Sequence, residues 1–432
     1  MLPTLFPHCL ANQTAIIYIN LAGTDRLKAS GGRTMSVWTK DQIEHMKEAL
    51  QLARRGWGLV SPNPMVGAVV VKGRRVVGRG WHTGPGQPHA EATALLEAGR
   101  KAKGADLFLN LEPCHHYGRT GPCTEAILQA GVARVFFGMP DPNPAASGGA
   151  KALTEAGVEI HGGLMAAECF EINLFFFKWT LTRRPYVILK TAASLDGKTA
   201  TSSGESRWIS SKAARNFGHH IRAGVDAIII GRNTAEQDNP ELSPRPWGRR
   251  KMHRQPWRVV LDPTLRLSPE LKLFDPTLGG LTVIFCEANA SPAKIEKLTR
   301  RGHQVITGPS FGSRLLSVRE VLAELGRRGL QSVMIEPGAT LASSALIDEP
   351  VVDLAHLFLA PKFLGGVKAP GVIGGGGLGQ LSQAREAEII KLGRKGPDIH
   401  ITIRPQGAFG TREDCEAVFK AAGLALPIAG EG

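Results

Sequence analysis

From residue 41 to residue 404 the chain alternates helix-spaced apolar residues with short apolar runs, in two series separated by Thr182-Arg183-Arg184-Pro185. A helix returns its apolar face every three or four residues and a strand every second one, so this alternation dictates sheets covered by helices. In the first series Ile43, Met46, Ala49, Leu50 and Ala53 share one helical face over 41–55, with Thr39 available as a cap. Apolar runs at 66–71 and 75–80 around Lys72-Gly73-Arg74 predict a hairpin. Helices over 88–99, 122–131 and 146–156 then alternate with strands over 106–111, 132–138 and 158–161, and a helix over 168–181 leads to a strand over 186–191. The second series predicts strands near 227–231, 258–262, 281–285, 304–306, 332–336, 353–359 and 400–404, with helices over 212–223, 318–328 and 341–348. The glycines at 374–377 read as a flexible loop.

A chain of 432 residues exceeds what one hydrophobic core covers, so two domains are expected, 35–182 and 183–405. Residues 1–34 read as a disordered tail or a mis-assigned start upstream of Met35, and 406–432 as an extension without a readable role. With 43% hydrophobic and 21% charged residues the composition is that of a soluble globular protein. Pro, Gly or charge breaks the apolar stretches before the ~18 residues a membrane span needs, so no membrane segment is expected. Six cysteines are too sparse for a disulfide framework and point to a reducing, cytoplasmic setting. The net charge of +14 attracts phosphate, whether on nucleic acid or on a small metabolite. Charge alone does not separate the two, and the phosphorylated metabolite is the preferred reading.

His89-Ala90-Glu91 opens a predicted helix, and Pro113-Cys114 and Pro122-Cys123 frame the start of another. These are the H-x-E and P-C elements of zinc deaminases. One imidazole and two thiolates hold zinc with a fourth position left for water, whose pKa the metal brings toward neutrality. Glu91 would carry the proton from that water to the leaving amine. A lone His or Cys reads as an ordinary buried side chain, whereas this combination in one α/β series reads as a metal site. Nucleoside deaminases place two residues between the cysteines; here 115–122 lies between them. The first series is therefore expected to be a zinc-dependent deaminase acting on an amino group of a nucleobase-like ring. From residue type alone, Asn63 and the segment 141–144 read equally as turn formers and as ring-binding groups.

Further segments resemble one family, the bifunctional riboflavin-biosynthesis deaminase/reductase, over residues 38 to 405. The resemblance rests on Ser61-Pro62-Asn63-Pro64-Met65-Val66-Gly67, on Gly80-Trp81-His82 leading to Pro88-His89-Ala90-Glu91, on Glu112-Pro113-Cys114 through Gly118-Arg119-Thr120-Gly121-Pro122-Cys123, and on Asp141-Pro142-Asn143-Pro144. In the second half it rests on 189–198, on Gly204-Glu205-Ser206-Arg207-Trp208-Ile209, on His220-Ile221-Arg222, on Gly231-Arg232-Asn233-Thr234 and on Asp238-Asn239-Pro240. It implies a cytidine-deaminase-like three-layer domain followed by a dihydrofolate-reductase-like α/β domain. The implied reactions are hydrolytic deamination of a phosphoribosylated diaminopyrimidinone and NADPH-dependent reduction of its ribosyl chain to ribityl.

The resemblance also implies the sites. His89, Cys114 and Cys123 would hold zinc beside Glu91, while Asn63, His82, Arg119, Asp141 and Asn143 would contact the pyrimidine and its phosphoribosyl arm. Lys190, Ser206, Arg222, Leu242, Arg245 and Glu336 would face the reductase substrate. Ala192, Trp208, Thr234, Asp238 and the run Gly338, Ala339, Thr340, Leu341, Ala342, Ser343 and Ser344 would face NADPH. That run opens a predicted helix, whose free amides suit a phosphate. No G-x-G-x-x-G segment stands between a predicted strand and a predicted helix in this half, which disfavours a Rossmann domain. Pro337 stands where the family usually has glycine, removing an amide donor. Asp238 and Lys190 are alternative proton carriers for the reduction. A homo-oligomer without nucleic-acid partners is expected. The rival readings are a nucleoside or nucleic-acid base deaminase with an unrelated C-terminal domain, and a nucleic-acid-binding protein that uses zinc structurally.

Overall fold

The computed structural model describes residues 38–117, 121–245, 254–308, 310–311 and 315–424, so the expected tail at 1–34 lies outside the described residues. Helix α1 (Lys40–Ala53) opens on a reciprocal cap: the Thr39 hydroxyl accepts from the Gln42 N–H, and the Gln42 side chain accepts from the Thr39 N–H. Strands β1 (Gly67–Lys72), β2 (Arg75–Trp81), β3 (Asp106–Leu111), β4 (Arg134–Met139) and β5 (Glu159–Gly162) form one sheet in the order β2-β1-β3-β4-β5. β1 runs antiparallel to β2 and β3, and β3, β4 and β5 run parallel. Alternate side chains divide it into three layers. Val69, Val71, Phe108 and Phe136 pack with Met46, Ala49 and Leu50 of α1 on one face. Ala68, Val70, Leu107, Leu109 and Phe137 pack on the other with α2 (Ala90–Ala98), α3 (Cys123–Ala130) and α4 (Gly149–Glu155).

Strand glycines set how closely the helices approach. A Cβ on Gly67 would sit 2.0 Å from the Ala49 carbonyl oxygen, and one on Gly80 2.0 Å from that of Ala90. The N-terminus of α2, which carries His89 and Glu91, is thus seated directly on the sheet. Gly80→Ala is expected to overpack this contact and destabilise the protein by about 1–3 kcal/mol, read as a lower urea midpoint with an unchanged slope.

The expected single helix over 168–181 is two helices, α5 (Ala166–Ile172) and α6 (Leu174–Thr182), broken at Asn173. Asn173 turns its carboxamide back to accept from the Met65 N–H (2.8 Å) and donate to the Met65 carbonyl (2.9 Å), a tie that a continuous helix would not place there. α6 leads to the second sheet, built from β6 (Tyr186–Ser194), β7 (Ala227–Gly231), β8 (Trp257–Leu261), β9 (Thr282–Glu287) and β10 (Gln304–Gly308), then, past a small ribbon of β11 (Ser310–Phe311) and β12 (Leu315–Leu316), from β13 (Ser332–Ile335), β14 (Leu354–Ala360), β15 (Ala387–Lys395) and β16 (Asp398–Pro405). The order is β10-β9-β8-β7-β13-β6-β14-β16-β15, parallel as far as β14 and antiparallel beyond it. Helices α7 (Lys212–Gly224), α8 (Arg232–Asp238), α9 (Pro292–Arg300), α10 (Val318–Arg327) and α11 (Ala339–Ser343) connect its strands.

The helices α8 and α9, the ribbon of β11 and β12, and the strand β15 were unforeseen, and the helix expected over 341–348 is the five-residue α11 followed by a wider turn at Ser344–Asp348. The described part of the extension after Pro405, residues 406–424, also belongs to the fold. Thr411 and Asp414 cap α12 (Arg412–Ala421), whose Cys415, Val418 and Phe419 are buried in the core that also holds α1 and α5. Cys415 Sγ lies 3.7 Å from Met139 Sδ at the end of β4, so the last helix returns to the first domain.

Candidate active sites

Three chain segments converge at one end of the first sheet. His89 is the residue before α2, Cys114 follows β3, and Cys123 is the first residue of α3. The Nδ1 of His89 lies 3.2 Å from Cys123 Sγ and 3.5 Å from Cys114 Sγ, and the three donor atoms all lie within 4.8 Å of one another. Two helix N-termini and the Cys123 N–H, which donates to Cys114 Sγ at 3.4 Å, favour negative charge on sulfur. Hydrogen bonds from Cys123 and His89 hold the Cys114 thiol far below the usual thiol range, while Cys123, bonded to that sulfur and buried, is pushed up. Only thiolate sulfur ligates, so a dication bound here would displace the thiol protons. Two thiolates and an imidazole at this spacing fit tetrahedral zinc with one open position. Glu91, 4% exposed, stands in the first turn of α2; burial raises its pKa, and the Cys114 charge adds to the effect.

Around this cluster, Asn63 Nδ2 lies 3.0 Å from His82 Nε2, and His82 Nδ1 lies 3.3 Å from the Pro88 carbonyl. Because a carbonyl only accepts, the proton sits on Nδ1 and Nε2 accepts from the Asn63 amide. Burial lowers the His82 pKa, in keeping with that neutral ring. Asp141 is buried and its carboxyl is pushed up to about 7, first by burial and then by the neighbouring Glu112, Cys114 and Glu91 charges, against the Asn143 N–H that bonds it. Arg119 lies outside the described residues.

Sequence reasoning gave no role to three polar residues that build this site. Buried Glu112 accepts from the Asp141 N–H (3.1 Å) and, at the start of α4, from the Ala150 N–H (2.9 Å). Asn110 accepts from the Gly67 N–H and donates to the Met65 carbonyl, both at 2.9 Å, and Asn173 grips Met65 from the other side. A polar residue inside the apolar run 107–111 was the available signal for Asn110.

The second sheet carries a cleft of about 1370 Å³ across the carboxyl ends of β6, β7, β8, β9 and β13. This is where ligands of parallel sheets bind, and the volume exceeds what one small ligand needs. Lys190, Ala192, Ser206, Trp208, Arg222, Thr234, Asp238, Leu242, Arg245, Glu336, Gly338, Ala339, Thr340, Leu341 and Ser344 all line it. Ala342 and Ser343 instead face inward, at 0% and 4% exposure, because α11 turns them beneath the wall. Leu242 is also buried, with φ +51°. Gly338 is extended at φ −77° and ψ 171°, and a Cβ there would stand 3.2 Å from Thr234 Oγ1. The segment therefore needs no left-handed freedom, and Pro337 is accommodated beside it.

Arg222 Nε and Nη2 donate to the two carboxylate oxygens of Glu336 at 2.5 and 2.7 Å. Burial alone would raise Glu336; the paired guanidinium outweighs it and holds the carboxyl at about 2. Lys190 is pulled below the usual lysine range by burial, against the Glu336 charge. Ser206 donates to Asp238 Oδ1 at 3.1 Å, and Trp208, 61% exposed on the rim, lies under the Arg215 guanidinium at 4.3 Å. Arg215 and His219 also line the cleft and had no role in the sequence reading. His219 is held at about 4 by burial and by the Arg222 and Arg245 charges.

The cytidine and deoxycytidylate deaminase zinc-binding region matches residues 39–139, and the RibD C-terminal domain matches residues 185–401. The riboflavin biosynthesis protein RibD of Bacillus amyloliquefaciens is 41% identical over 363 residues, covering 84% of this chain and 96% of its own. That of Escherichia coli K12 is 37% identical over 370 residues, covering 82% and 97%. The chain belongs to the RibD family. The solved structure of Acinetobacter baumannii RibD in its form 1 agrees with this fold at a TM-score of 0.77 and 34% identity, covering 85% of this chain and 99% of its own. A Thermotoga maritima structure described as a diaminohydroxyphosphoribosylaminopyrimidine deaminase/5-amino-6-(5-phosphoribosylamino)uracil reductase agrees at 0.74 and 32%, covering 84% and 99%.

RibD membership accounts for both halves at once. The His89, Cys114 and Cys123 cluster falls in the segment matched as zinc-binding, and the cleft lies wholly in the segment matched as the RibD C-terminal domain. No described helix is long and apolar enough to cross a membrane.

Proposed function

We propose that the chain catalyses two consecutive steps of riboflavin biosynthesis: deamination of a phosphoribosylated diaminopyrimidinone at the zinc site, then reduction of the ribosyl chain to ribityl in the second cleft. The single observation that carries the reading is the open three-donor cluster with the buried Glu91 beside it, on the same chain as a large cationic cleft. Zinc held by His89, Cys114 and Cys123 supplies the Lewis acidity that activates a water at neutral pH. Glu91 would carry two protons in turn: the first from that water to the ring nitrogen as the oxygen bonds to the amino-bearing carbon, the second from the resulting hydroxyl to the amine as the carbon–nitrogen bond breaks and ammonia leaves. Asn63, its amide hydrogen committed to His82, keeps its carbonyl oxygen for a ring donor, and Asp141 and Asn143 read the same edge. Arg119 supplies a fork for phosphate.

In the reductase cleft NADPH supplies the hydride. Arg222 and Glu336 hold a fixed polar wall, Lys190, Ser206 and Arg245 face substrate, and Gly338 lets the backbone of 338–344 come close to the cofactor. Asp238 and Lys190 both remain within the cleft as proton carriers.

The deaminase domain spans 35–182 and the reductase domain 183–405, with α12 returning to the first. A recessed cationic cleft supports a phosphorylated small molecule rather than nucleic acid as the partner. Five described cysteines are free and buried, which supports a cytoplasmic setting. Ile389 and Leu392, exposed on the edge strand β15, support a homo-oligomer. The test is one assay on the purified protein with the diaminopyrimidinone phosphoribosyl substrate and NADPH, following ammonia and nicotinamide absorbance separately. Both signals are expected; ammonia without NADPH consumption would overturn the second half of the reading.

A further inference from the structure

The loop that brings Asn63 to the zinc site is not held by the deaminase domain alone. Over 57–62 it lies against the end of α7 and the start of β7 in the reductase domain. Trp57 stacks on His220, with centroids 5.5 Å apart and planes at 23°, and its indole N–H donates to the His220 carbonyl at 3.1 Å. Gly58, at φ +75°, approaches the Ala223 carbonyl so closely that a Cβ would stand 2.3 Å from the oxygen, and a Cβ on Gly224 would stand 2.1 Å from the Trp57 ring. Ser61 Oγ donates to Asp226 Oδ1 at 2.8 Å, and the Gln331 side chain donates to the Pro62 carbonyl at 2.7 Å. Asp226, 1% exposed, is the anchor. Its Oδ2 accepts from the Gln331 and Ser332 N–H groups at 2.6 and 3.1 Å, and Arg254 pairs with its Oδ1 at 2.6 Å. The turn of α7 that touches Trp57 also carries Arg222, which faces the other cleft.

We propose that Trp57 and Ser61, anchored on His220 and Asp226, are positioning residues for the deaminase: the reductase domain seats the loop and thereby sets Asn63 against the pyrimidine. The proposal rests on the reading of Asn63 as a substrate contact. The zinc donors and Glu91 come from α2, α3 and the end of β3, whereas the hydrogen bonds of the joint run to His220, Asp226 and Gln331 of the reductase domain. Displacing the loop therefore weakens substrate binding while leaving the chemical step intact, because a binding group moved by about 1 Å loses its geometry whereas the metal and proton carrier keep theirs.

Steady-state deamination by full-length, zinc-loaded Trp57→Ala, Trp57→Phe, Ser61→Ala and Asn63→Ala, with zinc content and melting temperature measured on each, tests this. Trp57→Ala is expected to raise the deamination KM about tenfold, with zinc content retained and kcat within about twofold of the parent. Trp57→Phe keeps a ring for His220 but loses the N–H and the second ring of the indole, so it should recover part of the loss. Ser61→Ala removes one hydroxyl and should raise KM about threefold. If Asn63→Ala raises KM while Trp57→Ala and Ser61→Ala leave it unchanged, the joint has no positioning role. If Asn63→Ala itself leaves KM unchanged, the underlying reading of Asn63 fails. A fall in kcat with lost zinc would show that the loop supports the metal site, which also overturns the proposal. Should Trp57→Ala not fold, Ser61→Ala decides.

Discussion

Glu91→Gln is expected to remove ammonia release almost completely, by about 10²–10⁴-fold or more, while NADPH-dependent reduction of the already deaminated pyrimidine continues at the parent rate. Glu91 sits two residues beyond His89 in the first turn of α2, at 4% exposure, where Gly80 lets the helix rest on the sheet. Burial and the Cys114 charge raise its pKa, and the nearby His89 opposes them. A carboxyl in that balance can both take and give a proton. Glutamine keeps the shape and the hydrogen-bonding reach but carries no transferable proton, so the loss falls on the chemical step. Zinc content should stay at the parent's stoichiometry, because His89, Cys114 and Cys123 are untouched. Reduction should be spared because its residues line a cleft on the other sheet. Ammonia release is measured directly and reduction by nicotinamide absorbance on the deaminated substrate; loss of both activities in a folded, zinc-loaded variant would sink the two-site arrangement.

The deaminase centre was legible because its signals are local. H-x-E at a helix start and a proline before each cysteine place donors at chain positions whose geometry follows from neighbouring residues, and alternating apolar runs gave both sheets. What escaped depends on residues distant in sequence. Asn173 breaks a helix to reach Met65, 108 positions away, and nothing in 168–181 signals that need. Glu112 was visible as part of a motif, but its work, holding Asp141 and the start of α4, appears only when β3 and β4 lie side by side. α12 has a capped start, yet its reason to fold is the surface left open by α5 and the end of β4. The exposed residues of β15 carry no strong alternation, since both faces of that edge strand stay largely accessible. Arg222 illustrates the same limit: on a helix it reads as a solvated charge, and only the fold reveals Glu336, 114 residues on, as its partner.

That pair carries the second large effect. Arg222→Ala should destabilise the protein by about 2–4 kcal/mol, somewhat below the cost of breaking a fully buried pair, because the two side chains keep 17% and 19% exposure. It leaves Glu336 without the fork that now satisfies both oxygens, and frees the Ser243 carbonyl that Arg222 Nη1 bonds at 3.3 Å. Glu336 is held at about 2 in the folded protein, below its ordinary value near ~4.3. The pair's contribution is therefore present above that ordinary value and lost as pH falls from there through about 2. Without Arg222, burial prevails against the remaining Lys190 charge and raises Glu336, so the sign reverses: the variant should gain stability relative to the parent on acidification from neutral pH towards 4. Urea denaturation at neutral pH and near pH 4 measures both the loss and the reversal, and a variant that follows the parent's pH course would refute this account. Arg222→Lys should restore part of the stability but little of the reductase activity, since an ammonium replaces the charge without the planar fork. Ammonia release should persist in both variants wherever they remain folded, because no zinc donor or proton carrier of the first site lies on α7.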